Sequence, residues 1–333
     1  MKRSKIAGLG YYVPSRVVTN HDLVQIMNTT HEWIVERTGI LERRYVSEED
    51  KNYTMAAQAS KTALERAGIS PYELELIVYA TLSPDYQFPG SGVLLQRELK
   101  CRTIPAIDIR AQCSGFVYAL SVADQFIRTG MYQNALVVGS EIHSYGLDYS
   151  DYGRHIAVIF GDGAGAAVLK ATDNLQEGIL STHLHSDGEF AEKLALLSPS
   201  FSCKPPRITE EMLSPGGSFY PVMDGPFVFK NATQRFCEVI LEALQANQLR
   251  VEDIDLLVPH QANLRISQAI QKQLGLPDSK VFNNIQKYGN TTAASIPIAL
   301  TEAWEAGNIK DGDLVCLAAF GSGFTWASAL IRW

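Results

Sequence analysis

Three side chains of this sequence are of types that can attack, orient and hold charge during acyl transfer, and each stands in a small-residue turn. Cys113 lies in Gln112-Cys113-Ser114-Gly115, His260 in Pro259-His260-Gln261-Ala262-Asn263, and Asn290 in Tyr288-Gly289-Asn290-Thr291-Thr292. Cys113 falls where a strand gives way to a long apolar helix, so unpaired N–H groups and the positive helix end would favour its thiolate. Ser114 and Gly115 leave room for an acyl chain. His260 follows the apolar run Leu256-Leu257-Val258, a strand end of the kind where sites collect. Asn290 is a neutral donor suited to a carbonyl oxygen on which negative charge develops. Each also has an ordinary reading. A free cysteine is a small core residue, a lone histidine a satisfied structural group, and Gly-Asn-Thr a turn or helix N-cap.

The elements that must carry these residues repeat. Tyr53 to Gly68 has helical spacing and leads through Glu73-Leu74-Glu75-Leu76 into the apolar run Ile77 to Ala80, and Phe236 to Leu249 leads in the same way into Val251 to Val258. Ile107-Asp108-Ile109 then leads to the Cys113 turn, a helix to Thr129 and the strand Ala135-Leu136-Val137-Val138. Downstream, Phe282-Asn283-Asn284 leads to the Asn290 turn, a helix through Trp304 and the strand Leu314-Val315-Cys316-Leu317. A plan that returns at this length implies a duplicated α/β domain, with two packed sheets and helices around and between them. The first half, 1–172, carries the cysteine, and the second, 173–333, the histidine and asparagine. Pseudo-symmetry would bring their strand ends to one centre.

Three stretches stand outside this plan. Asp187 to Pro221, rich in Ser, Pro and Gly, reads as an insertion or flap. Phe320-Gly321-Ser322-Gly323-Phe324 follows a strand and either offers a backbone N–H to an oxyanion or is a simple glycine turn. Gly161-Asp162-Gly163-Ala164-Gly165 lacks the spacing of a dinucleotide fingerprint and leads into Ala166-Ala167-Val168-Leu169, so it reads as a turn.

Composition narrows the classes. The 333 residues are 46% hydrophobic and 20% charged, the balance of a globular protein with a large core. Net charge is −7 without a Lys/Arg run, which argues against a nucleic-acid partner, although a local basic patch can still dock an acidic one. The five cysteines, 101, 113, 203, 237 and 316, are odd in number and show no paired or metal-ligand spacing, which points to a reducing, cytoplasmic setting and no metal. The N-terminal stretch reads as a first strand and not a signal peptide, and no run approaches the roughly 20 apolar residues of a membrane span.

At these residues the sequence resembles a β-ketoacyl-acyl-carrier-protein synthase III, a condensing enzyme of the thiolase superfamily. The likeness spans nearly the whole chain and includes Glu32-Trp33-Ile34-Val35-Glu36-Arg37-Thr38-Gly39-Ile40, Phe160 to Ala167 and Ala319 to Trp326. It implies the thiolase-like five-layer αβαβα fold, a homodimer, and a catalytic triad of Cys113, His260 and Asn290. An acyl-CoA starter would acylate Cys113; malonyl-acyl carrier protein would then lose CO2 and condense with the acyl group. No cofactor beyond these substrates is implied. Cys113 and either Gly323 or Ser322 would hold the oxyanion, and Phe324 would assist decarboxylation. Trp33 and Arg154 would sandwich the adenine of CoA, Thr29, Phe229 and Asn263 would line its path, and Arg37 joins this CoA-binding set. Lys230, Arg265 and Lys272 would meet the acidic carrier protein, and Phe88 would reach the partner subunit's acyl pocket.

The sequence departs from the usual pattern at Ser322, at Tyr152-Gly153-Arg154-His155 and at Pro226-Phe227-Val228-Phe229, which bears on starter choice and CoA contacts. A degradative thiolase would carry a second cysteine in the Gly321-Ser322-Gly323 motif, and a hydroxymethylglutaryl-CoA synthase would need a general-base glutamate. Two rivals remain: a specialised-metabolism ketosynthase or acyltransferase with an unusual starter, and a non-catalytic partner that binds carrier protein.

Overall fold

A computed structural model describes residues 2–202 and 204–333; Met1 and Cys203, the latter among the five cysteines read above, lie outside them. Its principal strands form two sheets of matching order. In the first, Arg3–Tyr12, Gly163–Thr172, Asn134–Glu141, Ile77–Ala80 and Ala106–Ile109 lie side by side. In the second the order is Gly178–Ser186, Thr325–Arg332, Leu314–Gly321 and Leu256–Pro259. Ile77–Ala80 runs parallel to its neighbour Asn134–Glu141, and Leu256–Pro259 runs parallel to Leu314–Gly321; the remaining pairs out to Arg3–Tyr12 and Gly178–Ser186 are antiparallel. Where the first sheet adds Ala106–Ile109 alongside Ile77–Ala80, the second has the single bridge Leu257–Val281.

The strands read as unbroken apolar runs because both of their faces are covered. Ile77, Tyr79, Leu136 and Val138 point outward into a core shared with helices Asn52–Ala67 and Ser91–Leu99. Val78, Ala80, Ala135 and Val137 point inward to helices Gly115–Arg128 and Ser295–Glu305, which lie between the sheets. In the second sheet Val315, Leu317 and Ala319 face the same central helices, while Cys316, Ala318 and Phe320 face Gly225–Ala246 and Leu264–Leu274. The layers are therefore helix, sheet, helix, sheet, helix.

The repeat is in a different register from the one that the turn motifs suggest. A residue with left-handed φ, Gln112 at 43° and Thr292 at 50°, opens each of the 3₁₀ turns Gln112–Ser114 and Thr292–Ala294, and a central helix starts directly afterwards. Cys113 thus corresponds to Ala293, and Asn290 precedes its turn. Sequence spacing aligns the glycine-containing motifs, whereas the backbone aligns the positions entering the helices.

The 187–221 stretch is rooted in the second half. Leu194–Ala195 pairs with Val222–Met223, and the Asp224 N–H donates to the Lys193 carbonyl at 2.9 Å. Further out it carries the short helix Glu210–Leu213 and exposed apolar side chains at Leu196, Leu197 and Phe201.

The two halves cross closely at Gly139, where a Cβ would stand 2.2 Å from the Ala293 carbonyl oxygen. A methyl there must push apart strand and turn, and overpacking of this kind costs roughly 1–3 kcal/mol. Gly139→Ala is expected to lower the thermal midpoint by several degrees, read by calorimetry or circular dichroism; an unchanged midpoint would show that the turn yields freely.

Candidate active site

Cys113, His260 and Asn290 reach one cavity of about 780 Å³. Strand ends from both sheets and the N-termini of both central helices meet there, which explains why residues 113, 260 and 290 converge. Cys113 is 9% exposed and sits against the end of Leu314–Gly321, so closely that a Cβ on Gly321 would lie 2.6 Å from its own Cβ and 3.1 Å from its sulfur. The backbone N–H groups of Cys113 and Ser322 lie near enough to the sulfur to favour its thiolate. They do not yield the low-pKa thiol expected from the sequence. Burial, with the nearby Glu141 carboxylate adding to it, pushes the thiol up to about 12 and outweighs both N–H groups.

His260 follows the buried strand Leu256–Pro259 and is 3% exposed. Its Nδ1 lies 2.6 Å from Ser295 Oγ at the start of the second central helix, while Nε2 is buried with no hydrogen-bond partner among the described residues. Burial drives its pKa down to about 3, so the ring is neutral. Asn290 is fixed by its backbone, its N–H donating to the Ile159 carbonyl at 2.9 Å and its carbonyl accepting from Gly161 N–H at 3.1 Å. Its Oδ1 accepts from Thr292 N–H at 2.8 Å, and Nδ2 makes no hydrogen bond within the described chain. An unoccupied donor, an imidazole nitrogen and a thiol thus share one largely apolar space.

Several buried polar groups behind this surface are absent from the sequence reading. Glu141 accepts from Thr81 Oγ1, Leu82 N–H and Ser83 Oγ, the Ala293 N–H of the other half favours its charged form, and burial raises its carboxyl to about 7. Asp162, read from the sequence as part of a simple turn, is a fully buried carboxylate accepting from the backbone N–H groups of Val46, His143 and Ser144. His143 packs on Phe160 with centroids 4.7 Å apart. A charged residue two positions past the apolar run 135–139, as Glu141 is, was the signal available.

At the mouth, Trp33, Arg37, Phe229, Asn263 and Arg265 line the cavity. The guanidinium groups of Arg37 and Arg154 lie 4.9 and 5.6 Å from the Trp33 ring, and Arg265 lies 5.8 Å from Phe229. Arg154 stands just off the wall, donating to the Asn28 carbonyl, and Thr29 Oγ1 is buried there without a partner. The Asn263 side chain is already engaged, donating to the Arg37 carbonyl and accepting from Arg265 N–H as a helix cap. Lys230, Arg265 and Lys272 are exposed on the two outer helices beside the mouth.

Ser322 faces the cysteine with its N–H, and its hydroxyl donates to the Leu194 carbonyl at the root of the 187–221 segment. Gly323 has φ of 135° and leads into Phe324, which is 2% exposed and packs behind Phe320, with centroids 4.8 Å apart; Phe320 forms the wall itself. Phe88 is remote from these contacts on the loop before Ser91–Leu99 and is 79% exposed.

A family model described as 3-oxoacyl-[acyl-carrier-protein (ACP)] synthase III matches residues 107–188, and the model of its C-terminal region matches residues 244–333. A beta-ketoacyl-[acyl-carrier-protein] synthase III of Alkalilimnicola ehrlichii is 46% identical over 335 residues, with 100% of each chain covered. The crystal structure of 3-oxoacyl-[acyl-carrier-protein] synthase III from Aquifex aeolicus superposes with a TM-score of 0.91 at 43% identity, covering 99% of this chain and 100% of that one. The priming beta-ketosynthase of a polyketide pathway gives a TM-score of 0.90 at 33% identity, covering 99% and 97%. Similarity that runs the full length of the chain, through every turn facing the cavity, places it in the β-ketoacyl-acyl-carrier-protein synthase III family, condensing acyltransferases of thiolase-like fold that initiate fatty-acid synthesis.

Proposed function

We propose that this chain joins an acyl-CoA starter to malonyl-acyl carrier protein through an acyl-Cys113 intermediate, with His260 and Asn290 serving the decarboxylation step. The observation that carries this reading is the meeting of polar groups in the cavity: the Cys113 thiol shares it with Asn290 Nδ2 and His260 Nε2, neither of which has a hydrogen-bond partner among the described residues, while the backbone N–H groups of Cys113 and Ser322 favour the thiolate.

In the first half-reaction the Cys113 sulfur attacks the thioester carbonyl, and the N–H groups of Cys113 and Ser322 hold the oxyanion. The C–S bond to CoA breaks, and CoA leaves as the thiol with the proton given up by Cys113. In the second, the malonyl C–C bond to its carboxylate breaks, CO2 leaves, and the electron pair delocalises onto the thioester oxygen. Asn290 Nδ2 and His260 Nε2 donate to that enolate. In this step Ser295 Oγ donates its hydrogen to His260 Nδ1, so that the ring hydrogen stands on Nε2. Neutral donors suit this task, since a carboxylate would repel the developing charge. The carbanion attacks the acyl-enzyme, the C–C bond forms, and Cys113 leaves as a thiolate that takes up a proton.

Arg37 and Arg154 beside Trp33 supply charge and a flat ring for the nucleotide end of CoA. Lys230, Arg265 and Lys272 supply an exposed basic rim for the acidic carrier protein, an interaction of the salt-sensitive kind. The open edge of Ala106–Ile109, near exposed Tyr86 and Phe88, supports a homodimer through that face. Free thiols at Cys101, Cys113, Cys237 and Cys316 support a cytoplasmic setting, and no described helix is long and apolar enough to cross a membrane. The likeness to a priming ketosynthase of a polyketide pathway favours, as a second reading, a specialised-metabolism ketosynthase, and product analysis with several acyl-CoAs separates the two.

Cys113→Ala is expected to abolish acyl mass on the protein, whereas Asn290→Ala should keep acylation and lose on the order of 100-fold in CO2 release. Acylation without CO2 release in the unsubstituted protein would indicate an acyltransferase, and no acylation by any starter a non-catalytic carrier-binding partner. Alkylation of Cys113 by iodoacetamide should rise roughly tenfold per unit between about pH 7 and 10, because only the thiolate reacts and the thiol titrates near 12. A plateau below about pH 9 would show instead that the N–H groups win over burial. Lys272→Glu should raise KM for malonyl-carrier protein about tenfold at low salt, with the difference shrinking as salt rises and acylation by acyl-CoA little changed.

A further inference from the structure

His143 lies just past the end of Asn134–Glu141, 9% exposed, with no part in the steps above. Its backbone N–H donates to the buried Asp162 carboxylate at 2.7 Å, and its ring is packed on Phe160, whose backbone bridges to Asn290. From this fixed seat Nε2 meets Thr292 Oγ1 at 2.7 Å, a bond from the first half of the chain to the second. Thr292 is a β-branched residue held at φ 50°, a conformation that such a side chain adopts only when its surroundings impose it. In that conformation its N–H reaches Asn290 Oδ1 at 2.8 Å. An amide whose oxygen is occupied presents its NH2 on the other side, toward the cavity. The sequence of contacts therefore runs from Asp162 through His143 and Thr292 to the one side chain placed to donate two hydrogens.

We propose that His143 is a positioning residue for the decarboxylation step, holding Thr292 in its left-handed conformation so that Asn290 presents Nδ2 to the malonyl thioester oxygen. The inference rests on the enolate-stabilising role given to Asn290. Burial keeps the His143 ring uncharged, with its pKa pushed down to about 3, so the bond to Thr292 is a neutral one across the working pH range. A ring so placed acts on the second half-reaction and not on the first, because the N–H groups that serve acylation belong to Cys113 and Ser322.

Both half-reactions are to be measured on the full-length protein, by acyl mass on Cys113 and by CO2 release with malonyl-carrier protein. His143→Leu, close in volume, is expected to lower CO2 release at least tenfold more than it lowers acylation, through kcat with KM for malonyl-carrier protein nearly unmoved. His143→Gln, able to reach Thr292, should recover most of the loss. Thr292→Val, which keeps the shape and removes the hydroxyl, should reproduce the defect, and the double variant should be no slower than the slower single one. Equal losses in both half-reactions, or a changed starter preference with CO2 release intact, would overturn the proposal. Asn290→Ala is run in parallel; undiminished CO2 release there would overturn the underlying role of Asn290, a failure distinguishable from that of His143.

Discussion

The site depends on how tightly the two halves cross. Strand ends from one half pack against the helix-entry turn of the other with no side chain between them: Gly139 against the Ala293 carbonyl, and Gly321 against Cys113. A side chain at either place would separate the nucleophile from the groups that must act on the same bound acyl unit. A hydrogen bond reinforces the crossing, because His143 of the first half meets Thr292 of the second. The candidate site is therefore a property of the seam between halves, and neither half contains it alone.

Water is kept from that seam, and the electrostatics follow. Thiol and imidazoles are all held in their neutral forms, Cys113 pushed up and His143 and His260 pushed down. Desolvation weakens the resting nucleophile, but it also strengthens every hydrogen bond offered to a transient oxyanion or enolate. The protein keeps these groups neutral by burial and lets charge arise only as bonds change.

Much of this was legible beforehand. Small-residue turns after apolar strands marked Cys113, His260 and Asn290, since only strand ends and helix starts expose backbone N–H groups in an α/β protein. The doubled order of elements gave the layered fold, because runs such as Ile77–Ala80 and Leu256–Val258 are apolar at successive positions and so need cover on both faces. The register of the repeat was hidden: Gly289 and Gly115 mark similar motifs, yet the left-handed residues Gln112 and Thr292 set the match. The raised thiol pKa was hidden for a related reason, since helix position is local whereas the burial of Cys113 comes from Gly321, more than half the chain away. Glu141, His143 and Asp162 look like ordinary loop residues until the fold seals them in.

The duplication is incomplete at one margin. Alongside Ile77–Ala80 the first sheet carries a further full strand, Ala106–Ile109, but the matching margin of the second sheet has only the bridge Leu257–Val281. Two equal margins would make each molecule a tile with matching ends, able to string copies into a filament. The first half therefore presents, at Ala106–Ile109, an edge strand that has no counterpart beyond Leu256–Pro259 in the second, so the two ends of the molecule differ in what they offer a neighbouring strand.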